Sequence, residues 1–259
     1  MSSLLSLETY SEASNLFSQD DLLALDRQKV PAHVAVIMDG NRRWAKKRGF
    51  SAFSGHKEGV EALMNTVEAA KELGVQTLTV YAFSTENWNR SALEVQLLID
   101  LFETALLEKR SKMIANGVRL HAIGSLEAFP DSFLRVLDDS CQQTRSCKDI
   151  DLVLALNYGG RDEICRAMKS MMGDLEKKKI SKNEIDQELF SSYLDTAPWG
   201  DPDLVLRTSG ENRISNFLLW QISYAEVYVT DVLWPDFKPK DFLAALLNFQ
   251  ERHRRMGAS

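Results

Sequence analysis

Short apolar runs alternate with helical segments along most of this chain, and this alternation constrains the fold more than any other feature of the sequence. Each run is flanked by a stretch in which apolar residues recur at helical spacing. The runs span residues 33–38, 77–83, 118–123, 151–157, 203–207 and 225–230. Strands that are apolar on both faces belong in parallel sheets covered by helices. We therefore predict an α/β fold with a mostly parallel central sheet of about six strands.

The domain organisation follows from the distribution of these segments. Residues 1–30 are predicted to form an N-terminal arm, in which "SQDDLLALD" has a capping residue followed by apolar positions at helical spacing. Residues 31–259 contain no internal repeat or linker and are predicted to form a single domain. Gly74, Gly117 and Gly173 stand where helices are expected to end, and a further helix is expected over residues 216–223.

The composition limits the classes of function. A formal net charge of −6 argues against a nucleic-acid-binding protein, because such a protein needs a basic surface to displace counterions. The three cysteines lack the spacing of metal ligands and are expected to be reduced thiols. No apolar run is long enough to span a bilayer, and the N-terminal segment lacks the features of a secretory signal or a transit peptide. We therefore expect a cytoplasmic protein.

Polar residues cluster where the predicted strands end. In "VIMDGNRRWAKKRG" the first strand gives way to Asp39, Gly40 and Asn41 and then to a basic helix. Segments 84–90, 157–161 and 207–213 follow three later strands and are rich in Arg, Asn, Ser and Gly. Ligands of open parallel sheets bind beyond the carboxyl ends of the strands, and arginines and glycine backbone N–H groups recognise phosphate. The sequence therefore predicts a polyphosphate site.

The known nucleotide motifs do not account for this site. The chain has neither a P-loop nor a dinucleotide-binding glycine pattern, and it has no Asp-Asp-x-x-Asp metal motif. An unrelated phosphate-binding α/β hydrolase is an alternative interpretation. Such an enzyme needs a group of residues that activates water, and the sequence offers none that we can identify.

Several long motifs, in the same order, make the chain resemble the cis-prenyltransferases, and most closely the undecaprenyl diphosphate synthases of bacteria. The resemblance runs from about His33 to Gly257. It rests on "HVAVIMDGNRRWA", "GHKEG", "TVYAFSTENWNR", "NYGGR", "RTSGENRISNFLLWQISYAEVYVTDVLWPDF" and the terminal "RRMG".

The resemblance implies an activity. Members of this family add isopentenyl diphosphate repeatedly to an allylic diphosphate, usually farnesyl diphosphate, and each new double bond is cis. It implies Mg²⁺ as cofactor, a homodimer, an apolar tunnel for the product, and a product near undecaprenyl length that serves as a cell-wall lipid carrier. An amphiphilic product also suggests peripheral association with the membrane. There are two alternatives: a synthase of shorter or longer chains, and a non-catalytic subunit of a heteromeric enzyme.

The resemblance also implies roles for individual residues. Asp39 is expected to hold Mg²⁺ together with Glu226, with Glu211 as a weaker candidate, and Asn87 is expected to position the isopentenyl group or handle its proton. Arg207, Arg213 and Ser215 match the isopentenyl diphosphate site. The whole substrate-binding set is Gly40, Asn41, Arg42, Arg43, Trp44, His56, Phe83, Ser84, Trp88, Arg90, Arg207, Arg213, Ser215 and Arg255.

Some of these assignments have structural alternatives. Phe83 and Trp88 would serve equally as core residues, and Lys46, Lys47 and Arg48 as a solvated helix face. Arg255 resembles a family arginine that reaches across a dimer interface, but it would also suit a solvated tail.

One phosphate contact is in question. Many relatives carry an arginine where this chain has Ala52, for which Arg48 or Lys57 would have to compensate.

The tunnel is assigned to two helical segments. Its walls are expected to include Leu63, Met64, Val67, Leu97, Leu98, Leu101, Phe102 and Ala105. Their periodicity fits a solid core equally well.

Overall fold

The fold is built on a parallel sheet, seen in a computed structural model that describes residues 16–252. Its strands are β1 (His33–Ile37), β2 (Thr77–Ser84), β3 (Val118–Ile123), β4 (Ile150–Tyr158), β5 (Leu204–Arg207) and β6 (Glu226–Val229). The six strands lie in the order β3-β4-β2-β1-β5-β6, and every pairing is parallel. The predicted α/β class, the strand number and the strand positions are confirmed.

Helices connect the strands, as the alternation in the sequence predicts. Within residues 16–252 they are α1 (Gln19–Leu23), α2 (Asn41–Lys47), α3 (Ala52–Leu73), α4 (Ala92–Ala115), α5 (Asp131–Thr144), α6 (Gly160–Glu176), α7 (Gln187–Ser191) and α8 (Pro239–Glu251). None of these helices combines the length and the apolar character needed to cross a membrane.

The two faces of the sheet bury different amounts of apolar surface. On the larger side, Val34 and Val36 of β1 belong to a core that includes residues of α3, α4, α5 and α8. On the other side, Ala35 and Ile37 pack in a smaller cluster with Phe217. Because β1 is buried on both faces, it has the continuous apolar run expected of a central parallel strand.

Helix ends agree with the sequence at most predicted positions. Ser18 caps α1 through a capping box, Gly74 ends α3 with a φ of 94°, and Gly117 follows α4 with a φ of 67°. Gly173 was predicted as a cap, but α6 continues through it to Glu176. The predicted helix over residues 216–223 is also absent, since this segment forms consecutive turns.

The part of the predicted N-terminal arm that the structure describes packs on the domain. Phe17 and Leu25 are both buried in the larger core. Gln250, near the end of α8, accepts a hydrogen bond from the Asp26 backbone N–H and donates one to the Asp26 carbonyl. Residues 16–30 therefore form part of the surface of the domain.

Candidate active site

Asp39 lies at the middle of the carboxyl edge of the sheet, because it follows the central strand β1. The register pairs Ile37 with Arg207, the last residue of β5, and so brings the Arg207 side chain beside Asp39. Arg207 Nη2 donates to Asp39 Oδ2 at 2.8 Å, and Arg43 Nη2 lies 3.6 Å from the same oxygen. Burial would raise the pKa of Asp39, but the hydrogen bond and charge of Arg207 and the charge of Arg43 lower it overall. Asp39 is therefore ionised at neutral pH.

The backbone at Asp39 is fixed by its neighbours. The Asp39 N–H donates to Thr208 Oγ1 at 2.9 Å, and the Thr208 hydroxyl donates to the Asp39 carbonyl at 2.6 Å. Gly40 has a φ of 111°, and a Cβ at this position would lie 3.0 Å from Leu233 Cδ2. Only glycine suits this turn, which starts α2 at the edge of the sheet.

A second group of side chains surrounds Arg207. Its Nη1 donates to Ser215 Oγ at 2.8 Å and to the Arg213 carbonyl. Arg43 Nη1 lies 3.1 Å from Glu211 Oε1, and Arg213 pairs with the other oxygen of Glu211. The predicted isopentenyl diphosphate residues are thus brought together beside Asp39, with three guanidinium groups available to an anion.

An apolar cavity opens beside this arginine cluster. Its polar lining consists chiefly of Asn41, His56, Asn87 and Arg90. The Asn87 amide oxygen accepts a hydrogen bond from the Ser84 N–H at 3.0 Å, which fixes the orientation of the side chain. These polar groups are supplied by α2, by α3 and by the turn after β2, as the family motifs predict.

His56 is partly buried at this cavity and is neutral at neutral pH. Burial, with a smaller contribution from the charge of Arg90, lowers its pKa to about 4, although Glu94 opposes the shift. Its Nε2 atom is buried and has no hydrogen-bond partner among the described residues. Glu94 accepts from Arg90 at 3.0 Å and lies 3.7 Å from Arg42, so it holds both arginines near the histidine.

The cavity extends between the sheet and the long helices α3 and α4. It has a volume of about 1090 Å³, including its open mouth. Of the predicted tunnel residues, those that line it are Leu63, Met64, Leu98, Leu101, Phe102 and Ala105. Val67 is instead fully buried in the core, and Leu97 is exposed on the outer side of α4. A cavity with this predominantly apolar lining suits an apolar chain.

Phe83 and Trp88 lie behind the cavity wall. Phe83 is 1% exposed and packs against Trp88, with ring centroids 5.2 Å apart. Trp88 Nε1 donates to Asn157 Oδ1 at 2.8 Å, and its ring also packs against Phe129. Both residues were assigned to substrate binding, but their contacts are those of core aromatics that support the loop carrying Asn87.

Trp44 also turns away from the cavity, contrary to its assignment to substrate binding. Its Nε1 donates to Asp236 Oδ1 at 2.7 Å, and the Arg48 guanidinium lies 4.3 Å from the ring centroid. Arg48 is engaged with the same Asp236 carboxylate. Neither Arg48 nor Lys57, which lines a different groove, therefore takes the place of the arginine absent at Ala52.

Glu226 is not brought to Asp39 within one chain. It is the first residue of β6 and pairs in register with Leu204, which in turn pairs with Val34. It therefore lies at the amino edge of the sheet, about 16 Å below Asp39 for a strand rise of about 3.3 Å per residue. Its carboxylate instead accepts from Arg252 at 2.8 Å. Glu211 is the nearer second carboxylate, and Arg255 lies outside the described residues.

Asn216 was not predicted and holds three loops of the site together. It has a φ of 64°, its carbonyl accepts from the Gly160 N–H at 2.7 Å, and its Oδ1 accepts from the Arg161 N–H at 3.0 Å. Its Nδ2 donates to Glu86 at 3.1 Å. An asparagine next to Ser215 was the available signal, but the expectation of a helix over residues 216–223 concealed it.

Comparison with known proteins agrees with this arrangement. Residues 37–257 match the model of the prenyltransferase family, undecaprenyl diphosphate synthase-like. The isoprenyl transferase of Chlamydia caviae is 48% identical over 92% of this chain and 97% of its own length. That of Bacillus subtilis is 46% identical over 95% of this chain and 94% of its own.

A solved structure shows the same fold. Lavandulyl diphosphate synthase from Lavandula x intermedia, in complex with dimethylallyl diphosphate, superposes with a TM-score of 0.85 at 34% identity. The superposition covers 88% of this chain and 98% of that one. With the family match over nearly the whole chain, this places the protein among the prenyltransferase enzymes, in the undecaprenyl diphosphate synthase-like family.

Proposed function

We propose that this chain is a Mg²⁺-dependent cis-prenyl elongase that adds isopentenyl diphosphate repeatedly to an allylic primer, farnesyl diphosphate, to give undecaprenyl diphosphate. The observation that carries the proposal is the continuity between an arginine-rich anion site at Asp39 and an apolar cavity of about 1090 Å³. A diphosphate attached to an isoprenoid chain has both of these characters in one molecule.

The two diphosphates are assigned to neighbouring parts of the edge. Arg207, Arg213 and Ser215 form one donor cluster, which suits isopentenyl diphosphate. Asn41, Arg42, His56 and Arg90 form the other at the cavity mouth, which suits the allylic diphosphate because its chain then enters the cavity. Arg43 lies between the clusters and contacts Asp39.

The donor set at the edge fits Mg²⁺. The described residues include no group of three or more His, Cys, Asp or Glu side chains able to hold a metal by themselves. Mg²⁺ is commonly held by one or two carboxylates together with substrate phosphates and water, and Asp39, with Glu211 in support, supplies such a set. When bound, Mg²⁺ neutralises negative charge that develops on the departing diphosphate.

The protein residues orient the two substrates for carbon–carbon bond formation. The allylic C–O bond breaks and its electron pair leaves with the diphosphate, toward Arg42 and Arg90. The isopentenyl double bond attacks the allylic carbon, and a proton then passes from the isopentenyl unit to the released diphosphate. Asn87, fixed by the Ser84 N–H, lines the cavity where it can hold this unit in place. The new allylic diphosphate has a chain longer by one unit.

The proposal extends to assembly and location. We place the enzyme in the cytoplasm as a homodimer in which Arg255 reaches the partner's substrate, with peripheral association at the membrane where the product leaves. It needs no nucleic-acid partner, in keeping with the net charge of −6.

Product analysis tests the function directly. The pure chain is incubated with Mg²⁺, farnesyl diphosphate and labelled isopentenyl diphosphate, and dephosphorylated products are chromatographed against polyprenols of known length. We expect one main product at undecaprenol. A different main length would correct the product, whereas a lack of elongation with every allylic primer would refute the function and favour a non-catalytic subunit.

A further inference from the structure

A second groove opens on the outer surface between α3 and α4. It encloses about 650 Å³, including the open solvent at its mouth, and is lined by Phe53 and Lys57 of α3 and by Leu97, Asp100 and Thr104 of α4, among others. None of the residues assigned to diphosphate binding lines it. The groove therefore lies outside the site described above.

The groove and the product cavity share part of their walls. Val60, Leu101, Ala105 and Lys109 line both. The three residues from α4 are spaced four apart and so lie along one face of the helix. At these positions, single side chains separate the product cavity from the groove.

An ion pair spans this thin wall. Lys109 Nζ donates to Glu61 Oε1 at 2.5 Å and thereby joins α4 to α3. The Glu61 side chain is 53% exposed and the Lys109 side chain 22%, so the carboxylate faces solvent while the ammonium lies mostly inside the wall. Because water screens the exposed carboxylate, the pair contributes modest net stability, and the closure between the two helices can open at a modest cost.

The outer lip of the groove is apolar where it meets solvent. Phe53 and Leu97 are 38% and 39% exposed, and they face the groove from opposite helices. Exposed apolar side chains that line a groove are typical of binding sites for apolar ligands. Charged residues, including Asp100 and Glu108, lie around them.

The growth of the product indicates which ligand fits this groove. Each condensation inserts a unit at the diphosphate end and moves the far end of the chain deeper into the cavity. There it meets Met113, Leu120, Phe133 and Leu152, which are all buried core residues. A lengthening chain must stop against them or leave through the side.

We propose that the groove is a second binding site for the polyprenyl chain itself: the far part of a long product passes between α3 and α4, and the Glu61–Lys109 pair closes this opening until the chain reaches it. The proposal rests on the elongase function above. It assigns the groove to an apolar isoprenoid tail and makes the thin wall a determinant of product length and release.

Photolabelling tests the site without turnover. Undecaprenyl diphosphate with a diazirine on its terminal isoprene unit is irradiated with the pure full-length protein, and the labelled residues are mapped by mass spectrometry. Label on the groove residues Phe53, Lys57, Leu97 or Asp100 is expected. Label confined to Met113, Leu120 and Phe133 would overturn the proposal, whether or not the protein elongates a primer.

Variants of the ion pair test its role in the opening. Glu61→Gln is expected to lengthen the main product by one or more isoprene units and to speed its release severalfold. Glu58→Gln, an exposed change on the same helix, is the matched control, and the exchange Glu61→Lys with Lys109→Glu should restore the original length. The same length and release rate in Glu61→Gln as in the wild type would overturn the role of the pair. Failure of the wild type to elongate would instead refute the proposed function.

Discussion

The pairing of Asp39 with Arg207 links stability to substrate binding. Arg207 is 4% exposed, and a guanidinium so deeply buried needs an anionic partner. In the chain alone, Asp39 is that partner at 2.8 Å, while Arg207 Nε is buried with no hydrogen-bond partner among the described residues. A bound diphosphate offers the guanidinium further oxygens. Asp39 is then less needed as its counterion.

Replacement of Asp39 separates these roles. In Asp39→Asn we expect turnover to fall on the order of a hundredfold to a thousandfold, because the charge that would hold Mg²⁺ is lost. Arg207 keeps a neutral acceptor, so the free energy of unfolding should fall by no more than about 3 kcal/mol. Steady-state kinetics and urea denaturation measure the two effects. Asp236→Asn, which alters a carboxylate engaged by Trp44 and Arg48, is the control and should retain most of its turnover.

Ala52 is a second residue at which charge is expected to control binding. It begins α3, one helical turn before His56, and neither Arg48 nor Lys57 takes over from the arginine of many relatives. Ala52→Arg should lower the KM for farnesyl diphosphate about threefold to tenfold, since one added ionic contact contributes about 1 kcal/mol. Ala52→Gln has a similar reach without the charge. An equal effect of Gln and Arg on KM would show that charge is not the cause.

At the scale of elements, the close packing of α2 against α3 depends on glycine. A Cβ on Gly55 would lie 2.1 Å from the Asn41 carbonyl oxygen, and one on Gly59 would lie 2.6 Å from Asn41 Oδ1. These glycines let the two helices approach closely enough for Asn41 to reach the cavity mouth. The "GHKEG" motif therefore allows the two helices to pack closely and also contains His56.

Substitution of a glycine in this contact should damage the fold. Gly55→Ala places its methyl group against backbone that must shift, so we expect a loss of about 1–3 kcal/mol in the free energy of unfolding, together with lower turnover. Gly173→Ala is the control, because Gly173 lies inside α6 with nothing within 4 Å of its added Cβ. That variant should gain about 0.5–1 kcal/mol. Urea denaturation of both proteins decides, and equal stability would refute the steric account.

Strands were easier to predict from the sequence than the segment between β5 and β6. β1 and β5 are buried along their whole length, and the other strands are also short runs rich in apolar residues, a local property that the sequence states directly. Residues 216–223 look equally apolar, but Ser215, Asn216 and Leu218 have positive φ values, and Asn216 is held by hydrogen bonds from the Gly160 region and to Glu86. Those partners are distant in sequence. Local periodicity cannot reveal them.

At the scale of the whole molecule, strand ends explain which site residues were predictable. Residues after a strand, such as Asp39, meet at the carboxyl edge whatever the details of the loops. Glu226 was chosen by resemblance although it begins its strand, and the register places it at the opposite edge. Trp44 was likewise chosen by its motif, while its position on the inner face of α2 turns it to Asp236.

The buried His33 and the partly buried His56 should make the stability of the whole molecule depend on pH. Burial lowers the pKa of His33 and of His56 to about 4, against 6.5 for the unfolded chain. Between these values the unfolded state binds more protons, so stability is fully present above pH 6.5 and is lost as the pH falls toward 4. Acidification from pH 7 to pH 5 should lower the free energy of unfolding by about 2 kcal/mol for each histidine.

Substitution of His56 isolates its contribution to the pH dependence of stability. His56 Nε2 has no hydrogen-bond partner among the described residues, so His56→Gln removes a titrating group with little loss of bonding. Urea denaturation of both proteins at pH 7 and pH 5, at one protein concentration, should show a smaller loss of stability on acidification in the variant, by about 2 kcal/mol. Groups common to both proteins, such as Glu163, whose pKa is raised by burial, cancel in this difference. Parallel pH profiles would mean that His56 has the same pKa in the folded chain as in the unfolded chain, and would refute the lowering of its pKa by burial.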